Sequence, residues 1–245
     1  MRDYTIVTVS DRTPSEPYYC PDKFYKSLAQ YGIEPLVLSN ERMGAAFNGL
    51  GSKPNWQCRA IKEGMIETPW VFFVDSWDLF FGEHPDKVFD KFVEFDSPIV
   101  LNAEKNCFPH FVKEDYDKLD SGGSPYKYLN SGMIIGETDA ILKALEAMGA
   151  PNIQEDGFNL DGTRWHQNDQ QLWLDLFLKQ PVKMVLDYKQ EITQTLHDIS
   201  IDEFEFTDNG IRNKVTNSWP MVWHCNGGGK SSGVKEPILQ YLGLL

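Results

Sequence analysis

The sequence predicts an α/β fold in which helices flank a central sheet of mostly parallel strands. Short apolar runs alternate with segments of helical spacing through the first two thirds of the 245-residue chain, as they do in βαβ proteins. The run Trp70–Val74 is apolar at all five positions, which is typical of a strand buried on both faces of a parallel sheet. We therefore expect a single domain over residues 1–245, a length that can bury a sizeable core.

The remaining elements follow from apolar spacing and from turn residues. Further strands are predicted at residues 4–10, 34–38, 98–101, 131–136, 182–186, 191–196 and 221–223. Helices are predicted at residues 21–31, 56–67, 85–95, 138–148 and 167–178. The Gly-rich segment 40–53 and the polar segment 150–164 are predicted to be loops, and residues 113–126 are predicted to lie at the surface.

The charge of the chain disfavours one class of partner. The formal net charge is -13, from 36 acidic and 23 basic residues. Such a surface repels a phosphate backbone at long range, so general nucleic-acid binding is disfavoured. A nucleotide sugar that arrives with a divalent cation is not hindered in this way.

The sequence also predicts a cytoplasmic protein that does not enter a membrane. Residues 1–10 carry Arg2 and Asp3 and do not resemble a signal peptide. No apolar run approaches the roughly 20 residues that span a bilayer. The four cysteines are widely spaced without a CxxC pair, which predicts reduced thiols.

Two carboxylates follow the run Trp70–Val74 directly. Asp75 and Asp78 lie at the end of this strand, where ligands bind in open α/β sheets. Both are ionised at neutral pH and repel each other unless a cation lies between them. Carboxylate oxygens are ligands for Mg²⁺ and Mn²⁺, so the pattern predicts a divalent metal site. The alternative is a capped turn in which an aspartate begins a helix.

His224 follows a second apolar strand and precedes a glycine-rich loop at residues 227–229. Glycines let backbone N–H groups approach a phosphate, and Lys230 adds a positive charge. This setting favours His224 as a further metal ligand beside a phosphate-binding loop. A zinc site formed with Cys225 is the weaker alternative, because adjacent side chains rarely point at one ion.

Polar residues at two other element boundaries complete the candidate set. Asn168 and Asp169 begin a predicted helix, either as caps or with Asp169 contacting an acceptor hydroxyl or the reacting sugar. Asn130 precedes a strand and could hydrogen-bond a sugar.

Six segments resemble, in order and in rough spacing, the glycosyltransferase domain of procollagen lysyl hydroxylases and related collagen glycosyltransferases. They are FVDSWD (73–78), LNAEKNCFP (101–109), YLNSGMIIG (128–136), NDQQLW (168–173), LDYKQEITQTL (186–196) and PMVWHCNGGGK (220–230). The resemblance implies a GT-A fold, a Rossmann-like nucleotide-binding sheet that also carries the acceptor side. It further implies a UDP-sugar donor, Mn²⁺ with Mg²⁺ as the alternative, and transfer to a hydroxyl with retention at the anomeric carbon.

The resemblance also assigns roles to residues of this chain. The metal ligands fall on Asp75, Asp78 and His224. The residues assigned to the nucleotide sugar are Thr8, Val9, Ser10, Asp75, Ser76, Trp77, Asn226, Gly227 and Lys230. The residues assigned to the reacting centre are Asp169, Asn168 and Asn130.

The chain departs from the family pattern on the sugar and acceptor side. Phe108 stands where the family has Trp, Cys225 stands where it has Gly, and His166, Gln167 and Asn168 replace carboxylates. These changes leave the acceptor open between a protein hydroxyl such as hydroxylysine, a hydroxymethylated pyrimidine in viral DNA, and a glycan or small molecule. The alternative of another class is a non-catalytic nucleotide-sugar-binding domain, against which the intact metal set argues.

Overall fold

The computed structural model describes residues 3–10, 21–108, 113–154, 157–158, 164–165, 168–227 and 232–245. The strands are β1 (Tyr4–Val9), β2 (Leu36–Leu38), β3 (Trp70–Val74), β4 (Leu79–Phe81), β5 (Ile99–Glu104), β6 (Tyr128–Glu137), β7 (Gly157–Phe158), β8 (Arg164–Trp165), β9 (Val185–Asp187), β10 (Thr193–Thr195), β11 (Phe204–Thr207), β12 (Gly210–Asn213) and β13 (Val222–His224). The helices are α1 (Pro21–Ala29), α2 (Asn40–Met43), α3 (Ser52–Lys62), α4 (Pro85–Glu94), α5 (Lys113–Tyr116), α6 (Thr138–Ala147), α7 (Asp169–Lys179) and α8 (Ser232–Tyr241), with a short 3-10 helix at Ile201–Glu203.

The central sheet has six strands in the order β2-β1-β3-β6-β5-β9. Strand β6 is antiparallel to both of its neighbours, β3 and β5, whereas the other neighbouring pairs are parallel. Five strands therefore run in one direction, and the predicted mostly parallel sheet is confirmed.

Strand β3 is buried on both faces, as its unbroken apolar run predicts. Val71 and Phe73 belong to one hydrophobic cluster of the core. Phe72 and Val74 belong to the other. Because successive side chains of a strand point to opposite faces, β3 is packed on both sides and its carboxyl end is held firmly where Asp75 begins.

A smaller sheet places the end of β13 beside the end of β3. Its strand order is β10-β13-β4, with β13 parallel to β10 and antiparallel to β4. His224 pairs with Leu79 in this register, and the Cys225 N–H donates to the Asp78 carbonyl over 2.7 Å. This pairing brings two parts of the chain that are far apart in sequence to one point.

The prediction of a loop over residues 40–53 is wrong at both ends, where α2 and the start of α3 lie, and is confirmed for residues 44–51. The Ser39 hydroxyl caps α2 by accepting from the Arg42 N–H, and Gly44 ends α2 with a φ of 61°. The glycine therefore terminates a helix, as glycines commonly do. Helix α3 begins at Ser52, earlier than the predicted start at residue 56, and it carries Lys53 into the site described below.

Residues 113–126 are not simply a polar surface segment. Tyr116 and Tyr126 are fully buried. The Tyr116 hydroxyl accepts from the Leu129 N–H, and the Tyr126 hydroxyl accepts from the side chains of Gln194 and Asn213. These partners let the phenols enter the core, because a buried hydroxyl costs little once it is hydrogen-bonded.

The structure contains a further strand pair outside the two larger sheets. The antiparallel pair β11–β12 was not expected from the sequence. No helix in the described ranges has the length and apolar character that crossing a bilayer requires.

Asp187 ties the end of the central sheet to the turn that leads into β10. Its carboxylate is 1% exposed and accepts from the backbone N–H groups of Glu191, Ile192 and Thr193. The turn therefore depends on one side chain for its backbone hydrogen bonds.

We expect Asp187→Ala to lower the free energy of unfolding by about 2–4 kcal/mol, because buried N–H groups lose their acceptor. Urea denaturation followed by tryptophan fluorescence measures the change. Glu236→Ala is the matched control, since Glu236 is an exposed acid on α8. Equal midpoints for the two variants would show that the turn does not need the carboxylate.

Candidate functional site

The three predicted metal ligands converge. Asp75 follows β3, and its N–H donates to the Gly132 carbonyl over 2.9 Å. Asp78 precedes β4, and His224 ends β13. One ligand atom from each of the three lies within 4.8 Å of the others, and His224 Nε2 is 3.2 Å from Asp78 Oδ1.

Gly132 makes room for the imidazole of His224. A Cβ atom at position 132 would lie 2.1 Å from His224 Cε1, which no real contact allows. The imidazole is buried, and its Nδ1 has no hydrogen-bond partner among the described residues. A buried imidazole with an unsatisfied nitrogen is a group whose coordination is incomplete.

The electrostatics of the three side chains are those of a cation site. Burial raises the pKa of Asp75. Burial alone would also raise the pKa of Asp78 and lower that of His224, but the pair reverses both effects. The imidazole holds the pKa of Asp78 below its ordinary value, and the carboxylate holds that of His224 above. Positive charge is thus favoured at this point.

Lys53 is a site residue that the sequence did not reveal. Its Nζ lies 2.6 Å from Asp75 Oδ1 and 2.9 Å from Asp169 Oδ2. Burial would lower the pKa of the ammonium, but Asp169 and Asp75 raise it above its ordinary value. Nothing in the sequence around position 53 signals these contacts, because both partners are distant along the chain.

Asn168 and Asp169, at the start of α7, make different contacts. The Asn168 side-chain oxygen caps the helix by accepting from the N–H groups of Gln170 and Gln171. Asp169 is buried, accepts from the Ser131 hydroxyl over 3.1 Å and pairs with Lys53. The cap interpretation therefore fits Asn168, whereas Asp169 faces the cleft.

Glu104 joins several of the predicted segments, although no local pattern singles it out. Its buried carboxylate accepts from Asn130 Nδ2 at 3.0 Å, Asn226 Nδ2 at 2.9 Å and Gln170 Nε2 at 3.4 Å. Burial raises the pKa of Glu104. Asn130 accepts in turn from the Gly132 N–H. Both polar atoms of the Asn130 side chain are therefore hydrogen-bonded within the protein, and one of them holds the Gly132 backbone against the His224 imidazole.

Hydrogen bonds to the backbone after β10 hold the start of the glycine-rich loop in place. Asn226 Oδ1 accepts from the N–H groups of Leu196 and His197, so the Asn226 side chain is engaged within the protein. Gly227 has a φ of 80°, and a Cβ there would lie 2.4 Å from His197 Cγ. Only glycine fits this position. Lys230 lies outside the described residues.

The residues assigned to the nucleotide lie together at the end of β1. The Trp77 indole N–H donates to the Ser10 hydroxyl over 3.5 Å. Thr8 is buried, and its hydroxyl has no partner among the described residues. Val9 is half-buried beside it, and Ser76 is buried in the turn between β3 and β4.

The three candidate metal ligands line one cleft of about 230 Å³, and the residues at the end of β1 are not among its described lining residues. Its lining consists of Leu50, Lys53, Asp75, Asp78, Phe108, Asn130, Ser131, Gly132, Asn168, Asp169, Gln170, His224, Asn226 and Gly227. Phe108 is 49% exposed, so a flat apolar ring lies open beside the polar groups.

The family is decided by a match over nearly the whole chain. The family model described as the PLOD GT domain matches residues 2–242. The chain belongs to this family. The rat multifunctional procollagen lysine hydroxylase and glycosyltransferase LH3 is 30% identical over 210 residues, which are 80% of this chain. A Drosophila melanogaster procollagen-lysine,2-oxoglutarate 5-dioxygenase is 26% identical over 239 residues, which are 91% of this chain.

The chain spans only a part of those relatives, 26% of LH3 and 30% of the Drosophila protein. Among solved structures, mouse xyloside xylosyltransferase 1 in its apo form superposes with a TM-score of 0.51 at 14% identity, covering 92% of this chain and 98% of that one. This likeness shows the fold, and the GT-A expectation is confirmed.

The close approach at Gly132 gives a prediction about the metal site. Gly132→Ala should displace the His224 imidazole and weaken Mn²⁺ binding by about tenfold or more, as loss of ligand orientation does. Isothermal titration calorimetry measures this affinity. Gly233→Ala is the matched control, because no atom lies within 4 Å of a Cβ placed there. Unchanged Mn²⁺ binding in a folded Gly132→Ala variant would show that the imidazole is not a ligand.

Proposed function

We propose that this chain transfers a sugar from a UDP-sugar to an acceptor hydroxyl in a metal-dependent reaction. The observation that carries the proposal is the convergence of Asp75, Asp78 and His224, with a buried nitrogen of the histidine left unsatisfied. Membership of the PLOD GT domain family supports the transferase activity.

The donor atoms favour Mn²⁺ over Mg²⁺. Two carboxylates and one imidazole suit a borderline cation, whereas Mg²⁺ prefers oxygen ligands and retains its waters. A cation bound there would supply Lewis-acid assistance to the departure of the diphosphate. Gly132 and Glu104 serve this set indirectly, since they allow and support the position of His224.

The other residues assigned to the nucleotide sugar divide between the two halves of the donor. At the end of β1, Thr8, Val9 and Ser10 together with Trp77 bind the nucleoside. The backbone at Asn226 and Gly227 faces the diphosphate, where N–H groups and the ammonium of Lys230 stabilise the charge that develops on the leaving group.

Asp169 orients the acceptor hydroxyl or the sugar. Its carboxylate is held by Lys53 and Ser131, so its position is fixed before the substrates bind, which is how an oriented group contributes to rate. Within the described part of the cleft, Asp75 and Asp78 are committed to the cation and Asp169 to Lys53. With no carboxylate free to act as a covalent nucleophile, we favour attack on the face from which the UDP departs, with retention.

For the acceptor, we propose a protein hydroxyl such as that of hydroxylysine. The similar LH3 is named a procollagen lysine hydroxylase and glycosyltransferase, which supports this class. A hydroxymethylated pyrimidine in DNA is less favoured because of the net charge of -13.

Release of UDP from a panel of UDP-sugars, without acceptor, tests the donor half of the site. We expect slow hydrolysis that requires Mn²⁺ and that falls about 100-fold or more in Asp78→Asn, since the leaving-group charge is no longer neutralised. Asp202→Asn, at an exposed acid, should hydrolyse as the natural chain does. Hydrolysis that persists in Asp78→Asn, or after chelation of the metal, would refute the metal assignment.

The role of Asp169 is tested on the same panel with a hydroxylysine peptide and with hydroxymethylated DNA as acceptors. We expect transfer to the peptide, and we expect Asp169→Asn to lose roughly 100-fold in transfer through misorientation while it binds Mn²⁺ normally. Undiminished transfer by Asp169→Asn would exclude this role. Transfer to the DNA alone would replace the proposed acceptor.

A further inference from the structure

Strand β13 has a second face, which points away from the metal site. Successive side chains of a strand alternate between faces, so Trp223 lies on the opposite side of this small sheet from His224. The indole of Trp223 is almost fully buried and meets the Phe204 ring at a centroid distance of 5.5 Å.

A cavity of about 180 Å³ opens on this second face. It is lined by Gly82, Glu83, Asp208, Asn209, Gly210, Ile211, Pro220, Trp223, Tyr241 and Leu242. A Cβ at Gly82 would lie 2.8 Å from Trp223 Nε1, so the indole packs directly against this glycine and leaves no room for a larger residue.

The exposed ring of Tyr241 lines the cavity, and the rings of Phe206 and Trp219 lie against lining residues. Tyr241 is 40% exposed, yet its hydroxyl donates to the Thr207 carbonyl over 2.6 Å. Its ring packs edge-on against Phe206 at 5.6 Å. Trp219, which is 44% exposed, packs against Gly210. Exposed rings held in one orientation present a flat apolar surface at little entropic cost.

The polar groups around these rings narrow the chemistry of the ligand. Glu83 and Asp208 supply carboxylates, Asn209 supplies an amide, and Trp223 supplies an N–H donor. The carboxylates disfavour a phosphate or a nucleotide, and the polar lining disfavours a lipid chain. A flat apolar ring beside acceptors and one donor matches a neutral pyranose, which has C–H faces and hydroxyl groups. The volume is below that of sites for larger ligands and suits a single sugar ring.

We propose that this cavity is a second carbohydrate-binding site, which holds one neutral pyranose, such as the terminal sugar of a glycan. Tyr241 stacks on the sugar face, Asp208 and Glu83 accept from its hydroxyls, and the indole N–H of Trp223 donates to one of them. The site is separate from the donor cleft and does not depend on the proposed transferase activity, because β13 lies between the two.

Titration with galactose, glucose and xylose tests the proposal. The chain is first saturated with UDP and Mn²⁺, and binding is followed by saturation-transfer NMR and by tryptophan fluorescence. We expect at least one of the three sugars to bind with a Kd on the order of 1 mM. Tyr241→Ala and Asp208→Ala should each weaken this binding by about fivefold or more and leave UDP-sugar hydrolysis unchanged.

Control variants separate the possible failures. Tyr241→Phe retains the ring and should retain binding, and Asp202→Ala, outside the cavity, should bind as the natural chain does. Circular dichroism identifies a variant that fails to fold. Asp78→Asn should still bind the sugar even though it loses UDP-sugar hydrolysis. Sugar binding can therefore be judged separately from the proposed transferase function. The proposal is overturned if none of the three sugars binds to the UDP-saturated chain, if binding survives both alanine variants, or if a sugar binds only when UDP is left out.

Discussion

The candidate site depends on the compensation of carboxylates that lie close together with little water around them. Asp75, Asp78 and Asp169 line one cleft, and their mutual repulsion in a partly buried setting would oppose folding if they stood alone. Two side chains offset it: the Lys53 ammonium bridges Asp75 and Asp169, and the imidazole of His224, whose pKa Asp78 raises, pairs with Asp78. The arrangement leaves the point between Asp75, Asp78 and His224 favourable for a further positive charge, and the proposed chemistry follows from that.

The sequence predicted the parts of this arrangement that local patterns encode. Asp75 and Asp78 stand at the end of the apolar run Trp70–Val74, and His224 ends another apolar strand before a glycine-rich loop. Burial of β3 between two hydrophobic clusters explains why an unbroken apolar run marks this position. Asn168 was recognised as a possible cap, and it is one. These features rest on near neighbours in the chain, so periodicity and turn chemistry suffice to find them.

What the sequence did not predict depends on contacts between distant segments. Lys53 was placed in a loop because Gly44, Gly49 and Gly51 dominate that segment, yet Gly44 ends one helix and Ser52 begins the next. Glu104 resembles any other acid at a strand end in the sequence, but in the fold β6, α7 and the loop after β13 each bring a donor to it. No local pattern records such a meeting, because tertiary packing decides which polar groups share a partner.

The two faces of β13 link the metal site to the rest of the surface. This strand holds His224 toward Asp75 and Asp78 and Trp223 toward the second cavity, and it lies between β4 and β10. The Cys225 N–H donates a hydrogen bond to the Asp78 carbonyl. A shift of β13 would therefore move His224 and the Asp78 backbone together and would leave the distance between them unchanged. A ligand against Trp223 therefore meets a rigid unit. Since a ligand shifts an equilibrium only through unequal affinity for two states, a sugar bound there is expected to tether a glycan near the reaction without altering the metal geometry.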